Sequence, residues 1–315
     1  MKIAITLIPE ALSSTVTGPA DVLITAALLA GLPWQLDMVA EHEQTVSCFN
    51  GIALTASRVI SSDVQYDLIL IPSLVISQKG LQADHSKLIN WLREQSAHGA
   101  TIATICTGAF LLAETGLLDG RQVTTHWAFV DAFRRLYPSI LLEEKKTIVD
   151  SGTILCCSAG TAWQDLVLYI LQQYVDEAVI LQLSETFQLQ RHNTGQQAFC
   201  GLPVEIHADA SIEKAKRVLK EKLQEADVIE QAIHASGLTS RTFQRRFKAI
   251  TQMTAGRYLQ LLRVDKAKQL LIFDTLPIEQ VSYQVGYEDT SYMRRLFKKE
   301  TGLSMREYRQ RFAAL

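Results

Sequence analysis

Two stretches in the carboxyl third of the chain repeat one another, and this repeat restricts the fold more than any other feature. VIEQAIHASGLTSRTFQRRFKAI (228–250) and IEQVSYQVGYEDTSYMRRLFKKE (278–300) superpose with an offset of 49 residues before the turn and 50 after it. Gly237 then pairs with Gly286, Arg245 with Arg295, Phe247 with Phe297 and Lys248 with Lys298. Each copy reads as a short helix, a glycine-containing turn and a second helix rich in Arg and Lys, the pattern of a helix-turn-helix.

A helix that enters the major groove of DNA must present one basic, polar stripe while its opposite stripe packs inward. In the first copy Phe243 and Phe247, four apart, take the inward places and leave Ser240, Arg241, Gln244, Arg245 and Lys248 for the nucleic acid. In the second, Met293 and Phe297 face inward, and Thr290, Ser291, Arg294, Arg295 and Lys298 remain outside. Between the copies runs AGRYLQLLRVDKAKQLLI, about 18 residues, a rod of roughly 27 Å at ~1.5 Å per residue. Successive major grooves on one face of a duplex lie about 34 Å apart, and the helices' own widths cover the difference. One chain then reads two adjacent segments of double-stranded DNA. For either copy alone, an αα-hairpin with a solvated charged face is the better reading. Two copies at matched spacing reverse that preference.

Charge is distributed accordingly. The 315-residue chain has a formal net charge of -2, yet residues 209–315 hold 20 Lys+Arg against 13 Asp+Glu, +7, which leaves -9 on the remainder. A basic third on an acidic body points to a polyanion partner for one domain only. The length is about twice that of a typical domain and favours two of them.

Residues 1–190 alternate short apolar runs with longer helical patterns. Strands are expected at 3–8, 67–71, 101–105 and 154–157, and helices at 19–30, 86–97, 127–136 and 162–173. β-Branched runs apolar on both faces predict a parallel sheet covered on two sides, with ligands beyond the carboxyl ends of its strands. A helical stretch at 176–190 leads into HNTGQQAFCGLPVEIHADA, which lacks periodicity and carries two glycines and a proline. The expected architecture is an α/β amino-terminal domain over 1–191, a flavodoxin-like sandwich; a linker over 192–208; and an all-α domain with two helix-turn-helix motifs over 209–315.

A composition 48% hydrophobic and 20% charged excludes disorder and collagen-like repeats. No apolar run reaches the roughly 20 residues of a spanning helix, so no membrane partner is expected. MKIAITLIPE reads as a first strand and not a signal peptide, which places the protein in the cytoplasm. The five cysteines are odd in number and include no CxxC, so neither a disulfide framework nor a metal site is expected. Cys48, Cys156, Cys157 and Cys200 read as buried small apolar residues. Cys106 differs. In ATIATICTGAFLLAETGLLDG the apolar run ends at this cysteine and a helix starts at 107–109, so the thiol sits on a strand-to-helix turn that lowers its pKa and exposes it.

GYEDTSYMRRLFKKETGLSMREYR (286–309) is similar to the second-motif signature of the AraC/XylS family's DNA-binding domain. Met293 stands where that family usually has Phe, and Ala255 and Met305 where it usually has Pro. CTGAFLLAETGLLDGRQVTTHW (106–127) and SAGTAWQDL (158–166) resemble the class I glutamine amidotransferase-like superfamily in its PfpI-like branch, over roughly residues 1–190. Fusions of the two resemble the GlxA-like transcriptional regulators. The resemblance implies transcriptional regulation, usually activation, controlled by a small-molecule effector on the α/β domain.

Catalysis needs a base for the thiol and a group to orient that base. Amidotransferases use a His-x-Glu pair downstream of the cysteine, and no H-x-E occurs in this chain. PfpI-like hydrolases bring a carboxylate from the first strand-to-helix loop and a His directly after the cysteine, positions that fall here on Thr15 and Thr107. No catalytic residue and no cofactor are therefore assigned. Glu10, in the same loop, and His126 are the groups a rewired site would draw on, and a cysteine-dependent hydrolase or amidase localised by its DNA-binding domain is the alternative.

The expected lining of the effector pocket is Thr15, Cys106, Thr107, His126 and Trp127, with the backbone N–H groups after Cys106 suited to a carboxylate. Trp127 and Trp163 would wall in a cation, although a Trp near a helix start also reads as core and a lone His as structural. An amino acid or a quaternary amine is the effector class the resemblance implies. A homodimer is expected, because regulators bind repeated half-sites.

Overall fold

The structure, a computed structural model, describes residues 1–42, 44–76, 81, 83–190, 195–202 and 209–313. It divides into two compact units, Met1–Gln196 and Gln197–Leu315. Among the described residues the first unit holds strands β1 (Lys2–Leu7), β2 (Gln35–Ala40), β3 (Thr45–Ser47), β4 (Ala53–Thr55), β5 (Arg58–Val59), β6 (Leu68–Ile71), β7 (Thr101–Ile105), β8 (Gln122–Val123), β9 (Leu141–Leu142), β10 (Ile148–Asp150) and β11 (Ile154–Cys157). Its helices are α1 (Ser14–Ala30), α2 (Ser86–Ala97), α3 (Gly108–Ala113), α4 (Val130–Leu136), α5 (Trp163–Leu171) and α6 (Glu177–Phe187).

Seven strands form one sheet in the order β10-β11-β7-β6-β1-β2-β5. All neighbours are parallel except β10, which pairs antiparallel with β11 at one edge. Strands β6, β7 and β11 and the last five residues of β1 are buried along nearly their whole length, as a sheet covered on both faces requires. α1 packs on α5 and α6, and α2 packs on α3. The strand order reverses between β1 and β6, so the loops after these strands border the crevice where open α/β sheets bind ligands. They are tied together there: Leu12 N–H donates to Ser73 O at 2.9 Å, and Ala11 bridges Leu74.

Three expectations shift. α1 begins at Ser14 and takes Pro19 inside it, because the first turn is already fixed when Val16 and Thr17 N–H bond Ser13 O, and Pro19 removes only one later rung. β2 and β10 are strands that were not expected: β2 alternates only over Gln35–Met38 and is half-exposed there, and β10 has three residues, set by its antiparallel pairing with β11. The expected helix at 127–136 opens as a 3-10 turn, Trp127–Phe129, because His126 Nδ1 accepts from Ala128 N–H and caps it. Residues 191–194 and 203–208 of the expected linker lie outside the described residues. Its described part includes two buried residues, Gln196 in the first unit and Ala198 in the core of the second.

The second unit contains α7 (Ala210–Glu221), α8 (Val228–Ser236), α9 (Ser240–Thr251), α10 (Ala255–Phe273), α11 (Ile278–Gln284), α12 (Thr290–Thr301) and α13 (Met305–Phe312). α8 ends on Gly237 at φ +69°, the left-handed stop that turns the chain into α9. α10 and α13 start without the usual proline. Thr254 caps α10 through Arg257 N–H, and Ser304 with Glu307 forms a reciprocal capping box at α13, so side-chain caps replace the ring's pre-set φ. The apolar core is divided. Tyr258, Leu259 and Leu262 of α10 join α7, α8 and α9, whereas Val264, Ala267 and Leu271 join α11, α12 and α13.

Candidate functional site

α9 and α12 are amphipathic in the same sense. Phe243 and Phe247 are fully buried with ring centroids 5.2 Å apart, and Phe247 meets Tyr258 of α10 edge-on at 5.3 Å. Ser240, Arg241, Gln244, Arg245 and Lys248 are exposed on the other side. On α12, Met293, Leu296 and Phe297 are buried, Phe297 stacking edge-on against Tyr308 at 5.3 Å. Ser291, Arg294, Arg295 and Lys298 are exposed, and Thr290 is half-buried as the first helical residue. Met293 fills the place of an aromatic ring with no loss of burial.

The cations are not equivalent. Arg294 is paired with Glu279 of α11. Arg246, on the flank of α9, is paired with Asp209, which also caps α7 through Ser211 N–H. Among the described residues Arg241, Arg245, Lys248, Arg295 and Lys298 form no ion pair, although Lys298 also acts on the Glu307 carboxylate, and they are charges available to a polyanion.

In the first unit, Cys106 takes the left-handed conformation at φ +57°, a strained position for a residue with a side chain. Three contacts hold it. Cys106 N–H donates to Cys157 O at 2.8 Å, Thr125 Oγ1 donates to Cys106 O at 2.9 Å, and α3 presses on the loop after β6. That last contact needs Gly108, where a Cβ would lie 2.6 Å from Pro72 O. The thiol is buried, and burial pushes its pKa up against the opposing effect of the Ser73 hydroxyl and the Thr107 amide and hydroxyl. The lowered pKa expected of an exposed elbow thiol is therefore corrected: the turn is present, but the sulfur points into the protein.

Thr15 and Thr107 are brought to Cys106 through Ser73, which the sequence reading overlooked. Ser73 N–H donates to Thr15 Oγ1 at 3.0 Å, and the Ser73 and Thr107 hydroxyls lie 3.0 Å apart. Thr15 Oγ1 donates to Leu12 O at 2.7 Å, while Thr107 Oγ1 donates to Leu74 O at 2.5 Å and accepts from Leu74 N–H at 2.9 Å. Where PfpI-like hydrolases place a carboxylate and an imidazole, this chain places two hydroxyls engaged with backbone. The amides after Cys106 are engaged as well: that of Thr107 with the thiol, and those of Ala109 and Phe110 with the C=O groups of Cys106 and Thr107 at 3.5 and 3.0 Å.

His126 and Trp127 are half-buried, their ring centroids 5.3 Å apart. Burial lowers the His126 pKa, in keeping with a neutral ring whose Nδ1 accepts from Ala128 N–H. Glu10 is exposed, and neither it nor His126 is among the groups that act on the Cys106 thiol. Trp163 lies against Gly18 at the α1–α5 contact.

Gln196 was missed because it falls in a stretch without periodicity. Its amide accepts from Trp127 N–H at 3.1 Å and donates to Thr125 O at 3.0 Å and Glu144 O at 2.7 Å. It thereby bonds residues on both sides of His126. The signal was slight: one amide between a glycine and a second glutamine.

An open parallel sheet with a cysteine on a left-handed strand-to-helix turn, carried with a unit of helical hairpins that expose arginines, defines a two-part α/β and helix-turn-helix protein. The chain belongs to the DJ-1/PfpI family, whose pattern matches residues 1–173, and a helix-turn-helix domain pattern matches residues 232–311. It is 32% identical over 269 residues to the HTH-type transcriptional regulator CdhR of Pseudomonas aeruginosa, covering 84% of this chain and 75% of that protein. It is 28% identical over 187 residues to isonitrile hydratase of Pseudomonas putida, covering 58% of this chain and 77% of the enzyme, so the resemblance extends to an enzyme. The crystal structure of an AraC family transcriptional regulator from Pseudomonas putida matches 59% of this chain and 98% of that one with a TM-score of 0.53 at 18% identity, a likeness of fold. Among the described residues no helix is long and apolar enough to cross a membrane.

Proposed function

We propose that this chain is a sequence-specific, DNA-binding transcriptional regulator, an activator, whose α9 and α12 read two segments of a promoter under the control of a small molecule held by the α/β unit. One observation carries the reading: two helices of the same build, each backed by fully buried side chains, expose arginine and lysine that form no ion pair among the described residues. The contact residues are Ser240, Arg241, Gln244, Arg245 and Lys248 on α9, with Thr290, Ser291, Arg294, Arg295 and Lys298 on α12. The relationship to a regulator across 84% of the chain supports it.

The effector is assigned to the half-exposed His126–Trp127 pair together with Thr15, Cys106 and Thr107, which are linked to it through the bond from Thr125 Oγ1 to Cys106 O. No turnover is assigned to this unit. A thiol raised by burial, with hydroxyls where a base would stand, supports a binding role over a hydrolytic one. An amino acid or quaternary amine suits the site, whose aromatic face attracts a cation. The domains are 1–191, a linker over 192–208, and 209–315. Ile24, Leu28 and Leu29 on α1 and Leu181 on α6 are exposed apolar side chains of the kind a homodimer would cover. The protein is placed in the cytoplasm with its DNA.

A mobility shift of the full chain on its promoter DNA tests the reading. Arg245→Ala and Arg295→Ala should each weaken binding at least tenfold, and an unchanged shift sinks the assignment. A thermal-shift screen of amino acids and quaternary amines tests the effector half; a hit that Trp127→Ala abolishes supports it. Hydrolysis of amides that Cys106→Ser removes favours the enzyme instead.

A further inference from the structure

Among the described residues the two hairpins of the second unit have separate buried cores, with the half-buried Leu223 packed against both. α10 gives Tyr258, Leu259 and Leu262 to one cluster and Val264, Ala267 and Leu271 to the other. Burial is non-directional and leaves the angle between two separately packed bodies loosely fixed. Directional contacts must set it.

Such contacts line one flank of α10. Arg257 makes a two-pronged pair with Glu300 near the end of α12, its Nη1 donating to Oε1 at 2.9 Å and its Nη2 to Oε2 at 2.6 Å. Gln260 Nε2 donates to the Tyr292 hydroxyl at 3.2 Å. Arg263 reaches both hairpins at once. Its Nε donates to Leu223 O at 2.7 Å in the segment that leads into α8, while its guanidinium lies over the Tyr287 ring at 4.9 Å in the turn before α12. In that same turn is Gly286 at φ +86°, where a Cβ would come within 2.8 Å of Gln224 Cα and 2.9 Å of Arg263 Nη2. The second hairpin's turn is therefore in backbone contact with the first hairpin's approach, and an arginine is wedged between them. A bidentate fork fixes direction as well as distance, which a point charge does not.

We propose that Arg257, Gln260 and Arg263, acting on Glu300, Tyr292 and Gly286, are positioning residues that fix the separation and angle of α9 and α12, so that the length of DNA between the two half-elements is itself a specificity determinant. This rests on the reading of both helices as DNA-contacting. The braces touch no DNA. Their loss should change which spacings are tolerated more than how well each half-element is bound.

The test uses the full-length protein and a duplex it selects from a randomised pool. Derivatives of that duplex carry one, two or five extra base pairs between the half-elements, and one carries a single half-element. Each added base pair shifts the second element by about 3.4 Å and rotates it by about 34°, and five place it on the far side of the helix. Wild type should lose about tenfold at one or two base pairs and a hundredfold at five. Arg263→Ala and Arg257→Lys should bind the parent duplex about tenfold more weakly, lose less than threefold at one or two extra base pairs, and match wild type on the single half-element. Arg257→Lys keeps the charge and stem but not the fork, and so covers the case in which an alanine variant fails to fold. Variants that retain the wild-type spacing profile overturn the inference alone. If wild type selects no duplex, or is indifferent to spacing while Arg245→Ala and Arg295→Ala have no effect, the DNA reading falls with it.

Discussion

The salt dependence of DNA binding follows from the pairing state of the cations. Five exposed side chains, Arg241, Arg245, Lys248, Arg295 and Lys298, form no ion pair among the described residues, whereas Arg294 is neutralised in part by Glu279. If each meets one phosphate, log affinity should fall against log salt with a slope near about -4.5, or roughly 500-fold between about 50 and 200 mM. The double variant Arg245→Ala, Arg295→Ala leaves three such contacts and should reduce the slope to about -2.7 and the loss to about 40-fold. Glu279→Gln releases Arg294 and should steepen the slope by about 0.9. Fluorescence anisotropy of the full chain on a labelled promoter duplex, titrated at several salt concentrations, measures all three. A wild-type slope shallower than about -2, or one the double variant leaves unchanged, refutes the assignment of these side chains to the phosphates.

Two further outcomes bear on the α/β unit. Gln196→Leu leaves Trp127 N–H, Thr125 O and Glu144 O without the partner they have now, a cost of about 3 kcal/mol at ~1 kcal/mol each. Calorimetry should find the transition of the first unit lowered by about 6–12 °C, and a fall under 1 °C would contradict the anchoring role. Cys106 is held as the neutral thiol, since its folded-state pKa is raised by burial. Its contribution to stability is thus present below the unfolded thiol's value of about 8.5 and lost as pH rises through the folded one. Native protein exposed to iodoacetamide near neutrality should leave the Cys106 peptide unmodified while a control thiol peptide is fully labelled. Preferential labelling of Cys106 would restore the nucleophile reading.

Local chemistry wrote the second unit plainly. Helical spacing and capping act within a few residues, so Phe243 and Phe247, Met293 and Phe297, and the stop at Gly237 identified α9, α12 and one turn directly. The apolar runs of β1, β6, β7 and β11 were equally legible, because a strand buried on both faces shows it in composition. The half-exposed strand β2, between β1 and β5, and the three-residue edge strand β10 were not, because such short or half-exposed strands are fixed by their pairing partners.

The state of Cys106 could not be read along the chain. Its elbow is a local feature, but its burial, and the hydroxyls that surround it, come from Ser73 on a neighbouring loop and from Thr125 and Cys157 beyond it. The same holds for Gln196, which bonds residues 52 to 71 positions away, and for the fork between Arg257 and Glu300. Sequence by itself determined which helices carry charge and which strands are apolar, since those properties reside in single elements. Tertiary structure decided which polar groups are already satisfied, because a hydrogen bond depends on the positions of two partners, and only the folded chain brings distant partners together.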